Sequence, residues 1–231
     1  MLKSITLRTD SYKFSHYRQY PPNTTEISSY FESRSKDKDI CFFGLQFIIK
    51  KHLRGRVVDQ DQVDYAQKRV DAHLGKGSFN KAGWDRIVQF HGGRLPVKIR
   101  AVPEGLTVPS GNVLMTVENT DSQLPWLTNY LETLLMQVWY PTSVATLSRS
   151  FKLMLNKWGG KTGADPGWLP FALHDFGFRG VSSVESAGIG GAAHLVNFLG
   201  SDTFEAVEDA YDYYNEELAA FSVPAAEHST I

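Results

Sequence analysis

Apolar and polar positions follow two different periods along the chain. Strict alternation, the mark of a half-buried strand, runs through residues 26–32. It recurs at Val97, Ile99 and Ala101, with Lys98 and Arg100 between them, and at Val113, Met115 and Val117. Pro109-Ser110-Gly111-Asn112 carries the residue types of a turn just before the last run. Together, residues 95–119 predict a small antiparallel β unit. Longer patterns predict helices over 41–53, 61–74 and 84–90. Thr9 or Asp10 is placed to cap a short helix from Ser11 toward Tyr20, which Pro21-Pro22-Asn23 ends. Residues 33–39 read as a charged loop and 75–83 as a second loop. A helix-rich stretch from Leu124 to about Trp158 contains Trp126, Tyr130, Leu134, Trp139 and Tyr140. So many large rings in one stretch call for deep burial or a subunit contact.

The pattern then breaks. Residues 159–167 hold four glycines and one proline, which reads as a linker or loop. Its Gly160-Lys161-Thr162 triplet is no phosphate loop, because the earlier glycine is missing and no strand precedes it. Beyond it, residues 171–176 predict a buried strand. Ser182-Ser183-Val184-Glu185 forms a capping box that opens a helix to about Phe198. Gly188, Gly190 and Gly191 fall inside that helix. Each costs about 1 kcal/mol against alanine, so close backbone packing is the expected reason for them. A further helix is expected over 204–218. Phe176, Asp202 and His228 stand 26 residues apart, the spacing of successive β-α units. Each falls near the C-terminal end of an expected strand, the face on which β/α barrels carry their sites. The expected fold class is α/β: a mixed, β-rich α+β domain over 1–158, a linker over 159–167, and the first units of a β/α barrel over 168–231.

Composition narrows the function classes. With 24 Lys and Arg against 25 Asp and Glu, there is no electrostatic footprint for nucleic acid or an anionic membrane. The one cysteine, Cys41, excludes an internal disulfide framework and a multi-cysteine zinc site. The start, Met1-Leu2-Lys3-Ser4-Ile5, lacks the apolar run of a signal peptide. The longest uncharged stretches, 133–148 and 186–201, fall short of the roughly 18 residues that span a bilayer. A soluble, cytoplasmic protein is expected. The seven histidines show no metal-ligand spacing, so no metal site is assigned.

Several residues carry candidate chemistry, each with a plainer alternative. Phe176, Gly177 and Arg179 follow a strand and are suited to stack on a flat ring while a guanidinium holds an anion. The alternative makes the phenylalanines core and Arg179 a surface ion pair. Asp202 is suited to accept a hydrogen bond from a ligand, or to cap the next helix. His228, between Glu227 and Ser229, is the candidate titrating or nucleophilic group, or a neutral ring bonded to backbone. Asp10 and Tyr12 read as a helix start with an aromatic. Arg34 is suited to phosphate, or is simply a solvated loop arginine.

Longer motifs sharpen this. Thr9-Asp10-Ser11-Tyr12-Lys13, Tyr20-Pro21-Pro22-Asn23-Thr24, Val102-Pro103-Glu104-Gly105, Gly111-Asn112-Val113-Leu114, Val117-Glu118-Asn119-Thr120, and the stretches 173–183 and 222–231 together resemble the nicotinamide phosphoribosyltransferases. The resemblance is collinear over nearly the whole chain. It implies a type II phosphoribosyltransferase, a pentosyltransferase of NAD salvage. The reaction it implies joins nicotinamide to phosphoribosyl pyrophosphate, with Mg2+, giving nicotinamide mononucleotide and pyrophosphate. It implies a homodimer with a shared site. Phe176 would stack on one face of the pyridine and Tyr12 of the partner subunit on the other, with Asp10 lining the same interface. Asp202 would accept from the carboxamide, selecting the amide over nicotinate, whose carboxylate it would repel. Arg179 would face the carboxamide oxygen and product phosphate, and Arg34 would reach the phosphates across the dimer. His228 would be phosphorylated where ATP hydrolysis is coupled to turnover. The resemblance also implies further barrel strands with phosphate-binding groups beyond Ile231. The chain is then expected to be a fragment, or one half of a split enzyme with a C-terminal partner polypeptide. Two other readings stay open: nicotinate phosphoribosyltransferase, and a non-catalytic binding or assembly module.

Overall fold

The computed structural model describes residues 4–36 and 38–231. The chain interleaves two units. One comprises Met1–Lys38, Ile48–Pro103 and Pro109–Val138; the other comprises Asp39–Phe47, Glu104–Val108 and Trp139–Ile231.

The first unit contains an antiparallel sheet. Its strands are β1 (Ser28–Glu32), β3 (Val97–Ala101) and β5 (Val113–Asn119), in the order β1-β5-β3. The expected β unit is present, with one departure. Phe31 pairs with Met115 but Glu32 pairs with Val113, so Leu114 is an extra residue in the ladder. Such a bulge breaks the alternation. Leu114 is buried while Val113 is exposed, the reverse of the period-two expectation at this end.

Two helices of this unit start at side-chain caps, and a third is marked by the face it buries. Gln60–Leu74 starts at a capping box between Asp59 and Gln62 and buries Val63, Ala66 and Val70. Lys81–His91 is capped by the Asn80 side chain and stops at Gly92, which is left-handed. Leu127–Leu135 buries Tyr130, Leu131 and Leu134. Trp84, Trp126 and Tyr130 meet edge to face, with centroids 5.3–5.4 Å apart. This arrangement suits aromatic quadrupoles and accounts for two of the expected buried rings. Trp139 is exposed instead.

One buried carboxylate ties the loops of this unit together. Asp121 accepts from Arg86 Nε at 2.7 Å, His91 Nε2 at 2.8 Å and the Gln123 amide at 2.9 Å. Burial alone would raise its pKa; the Arg86 guanidinium and the other donors outweigh burial and hold it well below the usual carboxylate range.

In the second unit, β2 (Asp39–Cys41) pairs with β4 (Thr107–Pro109). Cys41 and Phe43 pack with Ala145, Ala192 and Ala193, which brings β2 against the helices Trp139–Thr162 and Val184–Leu195. The glycines of the second helix have the expected reason. A Cβ on Gly190 would lie 2.5 Å from the Tyr140 hydroxyl, and one on Gly191 2.5 Å from Ala206 Cβ. The helix N-cap is Ser183, whose hydroxyl accepts from the Ser186 amide, one residue later than expected.

Three expectations are corrected here. Gly159, Gly160, Lys161 and Thr162 are the last turn of the Trp139–Thr162 helix, not linker. The strand over 171–176 shrinks to one parallel bridge, Asp175 to Ser201, after a 3-10 turn at Pro166–Phe171. A parallel strand needs cover on both faces, and much of 171–180 is exposed. The helix Phe204–Tyr214 ends early, at left-handed Asn215. A second parallel bridge joins Gly200 to Phe221, so the opening of a parallel β/α arrangement is present in brief. The overall class is mixed α/β, as expected. Among the described residues no helix is long and apolar enough to cross a membrane.

Asp121→Asn is expected to destabilise the chain by about 2 kcal/mol, the scale of hydrogen bonds to a charged group. Because the native carboxyl is depressed, its contribution is present above the ordinary carboxylate range and is lost as pH falls through the native value. Urea unfolding of both forms at neutral and acid pH checks this: the difference should shrink on the acid side.

Candidate functional site

Two backbone bonds bring distant residues together. The Asp175 amide donates to the Gly200 carbonyl at 3.0 Å, and the Asp202 amide to the Asp175 carbonyl at 2.9 Å. Asp175 spends its carboxylate on the same junction. Oδ2 accepts from the Ser201 hydroxyl at 3.1 Å and Oδ1 from the Gly177 amide at 2.8 Å. The second bond shapes the turn that starts at Phe176, whose ring is 65% exposed. The alternative that made Phe176 a core residue is thereby excluded.

Asp202 is not the cap of the following helix. Thr203 holds that position, without a side-chain cap. The Asp202 carboxylate instead receives two donors on one oxygen. His174 Nε2 lies 3.0 Å from Oδ1, and the Ser222 hydroxyl donates to the same Oδ1. These donors, Ser222 first and His174 second, lower the Asp202 pKa below its ordinary value, so it is ionised at neutral pH. Oδ2 has no partner among the described residues. The His174 ring also touches Phe176, centroid to centroid 4.7 Å. The result is an open aromatic face and a half-exposed, ionised carboxylate joined by one imidazole.

A cavity of about 290 Å3 lies behind this edge, lined by Tyr140, Leu173, His174, Asp175, Phe176, Ser186 and Gly190 among others. Gly190 and Gly191 line it with backbone rather than side chains. His194 closes one side, bonded to Ser148 Oγ at 2.8 Å and to the Leu173 carbonyl at 3.0 Å. Burial lowers its pKa, so it serves this wall as a neutral ring.

The other expected residues stand as follows. Arg179 lies exposed on the 3-10 turn Gly177–Gly180 and makes no ion pair among the described residues. His228 is not brought to the ladder. Phe176 and Asp202 each follow a bridge residue directly, whereas His228 comes seven residues after Phe221. Its side chain is 97% exposed, with Glu227 Oε2 3.5 Å from Nδ1, so it is not bonded to backbone either. Asp10, Tyr12 and Arg34 belong to the first unit. Asp10 sits at the cap position of the turn Ser11–Arg18 but makes no cap; its Oδ2 accepts from the Thr133 hydroxyl at 2.6 Å. Tyr12 and Arg34 are exposed. Sequence reasoning assigned no role to His174 or Ser222, and read Tyr140 only as a buried or subunit-contact ring. His174 and Ser222 reach Asp202 across 28 and 20 residues, which no short motif encodes.

Comparison with known proteins covers both units. Residues 4–99 match the nicotinamide phosphoribosyltransferase N-terminal domain, and residues 171–231 match the nicotinate phosphoribosyltransferase family. A nicotinamide phosphoribosyltransferase of Xanthomonas campestris is 53% identical over 232 aligned residues, covering 100% of this chain and 49% of that protein. One from Acinetobacter baylyi is 36% identical, covering 96% of this chain and 47% of that protein. The chain matches the N-terminal half of nicotinamide phosphoribosyltransferases. It spans about half the length of the curated relatives it matches. A crystal structure of human nicotinic acid phosphoribosyltransferase shares the fold, with TM-score 0.58 and 16% identity over 94% of this chain and 39% of that one. Phe176, Arg179, Asp202 and His228 fall within the stretch matched to the nicotinate family; Asp10, Tyr12 and Arg34 fall within the nicotinamide N-terminal domain.

Ser222→Ala removes one of the two donors on Asp202 Oδ1. The carboxyl is expected to titrate at higher pH than in the parent chain, closer to an ordinary aspartate. Carbon-13 NMR of the labelled carboxyl measures this; an unchanged midpoint would show that Ser222 does not hold it.

Proposed function

We propose that this chain forms the pyridine-binding part of a nicotinamide phosphoribosyltransferase, a pentosyltransferase acting in NAD salvage in the cytoplasm. The observation that carries the reading is the Asp202 carboxylate, ionised, with one oxygen held and the other open, beside the exposed face of Phe176. A pyridine stacked on Phe176 can place its carboxamide N–H on Asp202 Oδ2. Nicotinate in the same pose sets a second carboxylate against the first, without a cation between them. On this reading Arg179, free of ion pairs among the described residues, faces the carboxamide oxygen and the product phosphate.

The chemistry is a displacement at the ribose anomeric carbon. The pyridine nitrogen forms the new bond as the bond to the pyrophosphate oxygen breaks, and pyrophosphate leaves with that electron pair. Such a transition state gains chiefly from positioning and from charge stabilisation on the leaving group. Phe176 and Asp202 supply the positioning of the ring. From a second copy in a homodimer, Arg34 supplies charge at the phosphates, and Tyr12 and Asp10 complete the ring site. Among the described residues no three His, Cys, Asp or Glu side chains converge as a metal site. The described residues therefore form no metal cage of their own, and Mg2+ would be held by the phosphoribosyl pyrophosphate oxygens, which suit its preference for phosphate and water ligands. ATP coupling is assigned to the solvent-open His228 beside Glu227: a ring nitrogen bonds to the γ-phosphorus as the bond to ADP breaks. The remaining length of the relatives, on this chain or on a partner polypeptide, supplies the rest of the phosphate site.

Nicotinate phosphoribosyltransferase is the second reading, favoured by the family match over residues 171–231. Asp202 argues against it, because an acid-selecting site would not face its ligand with an ionised carboxylate. Calorimetric titration of the 231-residue chain with nicotinamide and with nicotinate separates the two. Tighter binding of the amide is expected, and Asp202→Asn should cut that preference by about tenfold, the loss of one charge-assisted hydrogen bond. Phe176→Ala should weaken both ligands by about three- to tenfold, the scale of one ring contact. Tighter binding of the acid, or an amide preference untouched by Asp202→Asn, overturns the proposal.

A further inference from the structure

We infer that His174 is a positioning residue that fixes which oxygen of Asp202 meets the ligand, and thereby governs amide-over-acid selection. The inference rests on the pyridine reading above and assigns a determinant within that site.

Three contacts define the imidazole. Its Nε2 lies 3.0 Å from Asp202 Oδ1. A carboxylate only accepts, so Nε2 carries the proton and donates. Its ring lies against Phe176, centroids 4.7 Å apart at an interplanar angle of 40°. Its other edge lies against the backbone of Gly200, where a Cβ would come within 2.5 Å of Nδ1. Gly200 needs no positive φ, so room for this ring is the reason a side chain is excluded there. His174 is thus wedged between the aromatic platform, the strand backbone and the carboxylate.

The consequence concerns freedom. An exposed aspartate rotates broadly about its terminal torsion and offers either oxygen. Asp202 is 45% exposed at its side chain, yet Oδ1 is committed to two donors, His174 and Ser222. That commitment leaves Oδ2 as the open acceptor. Fixing an acceptor before the ligand arrives lowers the ordering cost of binding. Because the same imidazole touches Phe176, one side chain sets both the stacking face and the hydrogen-bonding edge. A ligand that offers an N–H gains from this arrangement, and one that offers a carboxylate oxygen does not.

Three variants of the 231-residue chain test it: His174→Leu, His174→Gln and Gly200→Ala. The last displaces the ring without removing any polar group. Two readouts are used, the Asp202 carboxyl titration by carbon-13 NMR and the ratio of nicotinamide to nicotinate affinity. His174→Leu and Gly200→Ala are both expected to raise the Asp202 midpoint and to lower the affinity ratio by about tenfold. His174→Gln, whose amide still donates, is expected to recover most of both. A midpoint in His174→Leu equal to the parent's, or a Gln variant no better than Leu, overturns the inference. A parent chain that does not distinguish the two ligands defeats the pyridine reading instead, and the titration alone then decides whether His174 holds Asp202.

Discussion

The parallel junction between Asp175 and Ser201 is the constraint on which the candidate site depends. Two backbone hydrogen bonds and the Asp175 carboxylate hold residues 174–177 against residues 200–202. Without that junction, Phe176 and Asp202 are unrelated positions on two loops. With it, the ring, the imidazole and the carboxylate follow in order along one edge. Each backbone bond contributes modestly to net stability, about 1 kcal/mol. Their effect on geometry is larger, because they fix the register of two segments 26 residues apart.

The junction is supported from behind by a helix built for close approach. Gly188, Gly190 and Gly191 weaken Val184–Leu195 as an isolated helix. They also let it pack where side chains would collide, against Asp209, the Tyr140 hydroxyl and Ala206. The propensity lost is offset by burial of the helix, which is almost wholly enclosed from Ala187 to His194. His194 then reaches back from that helix to the Leu173 carbonyl, one residue before the imidazole that holds Asp202. Packing, backbone pairing and site geometry are therefore one connected arrangement within this unit.

Much of this was legible in the chain. Alternation located β1, β3 and β5, and a Ser-rich capping signal located the start of Val184–Leu195 to within one residue, because both depend on neighbours close in sequence. The glycine triplet was read correctly as a sign of close packing. Other features were hidden for physical reasons. Leu114 turns inward because of a bulge set by its partner strand. Gly159 and Gly160 look like a linker but remain helical, continuous with the long helix that precedes them. Equal spacing suggested that His228 joins Phe176 and Asp202; the third ladder position is Phe221 instead. The resemblance to a known family named Phe176 and Asp202, while His174 and Ser222 became visible only through contacts between segments distant in sequence.

The central claim is that the edge formed by Phe176, His174 and Asp202 receives a pyridine carboxamide. Chemical-shift mapping of the isotope-labelled 231-residue chain during titration with nicotinamide tests it most directly. The account predicts saturable shifts centred on the Phe176 ring, the His174 imidazole and the Asp202 carboxyl, with the Asp121 cluster unmoved. Saturable shifts centred elsewhere, or none at these three residues, would contradict it.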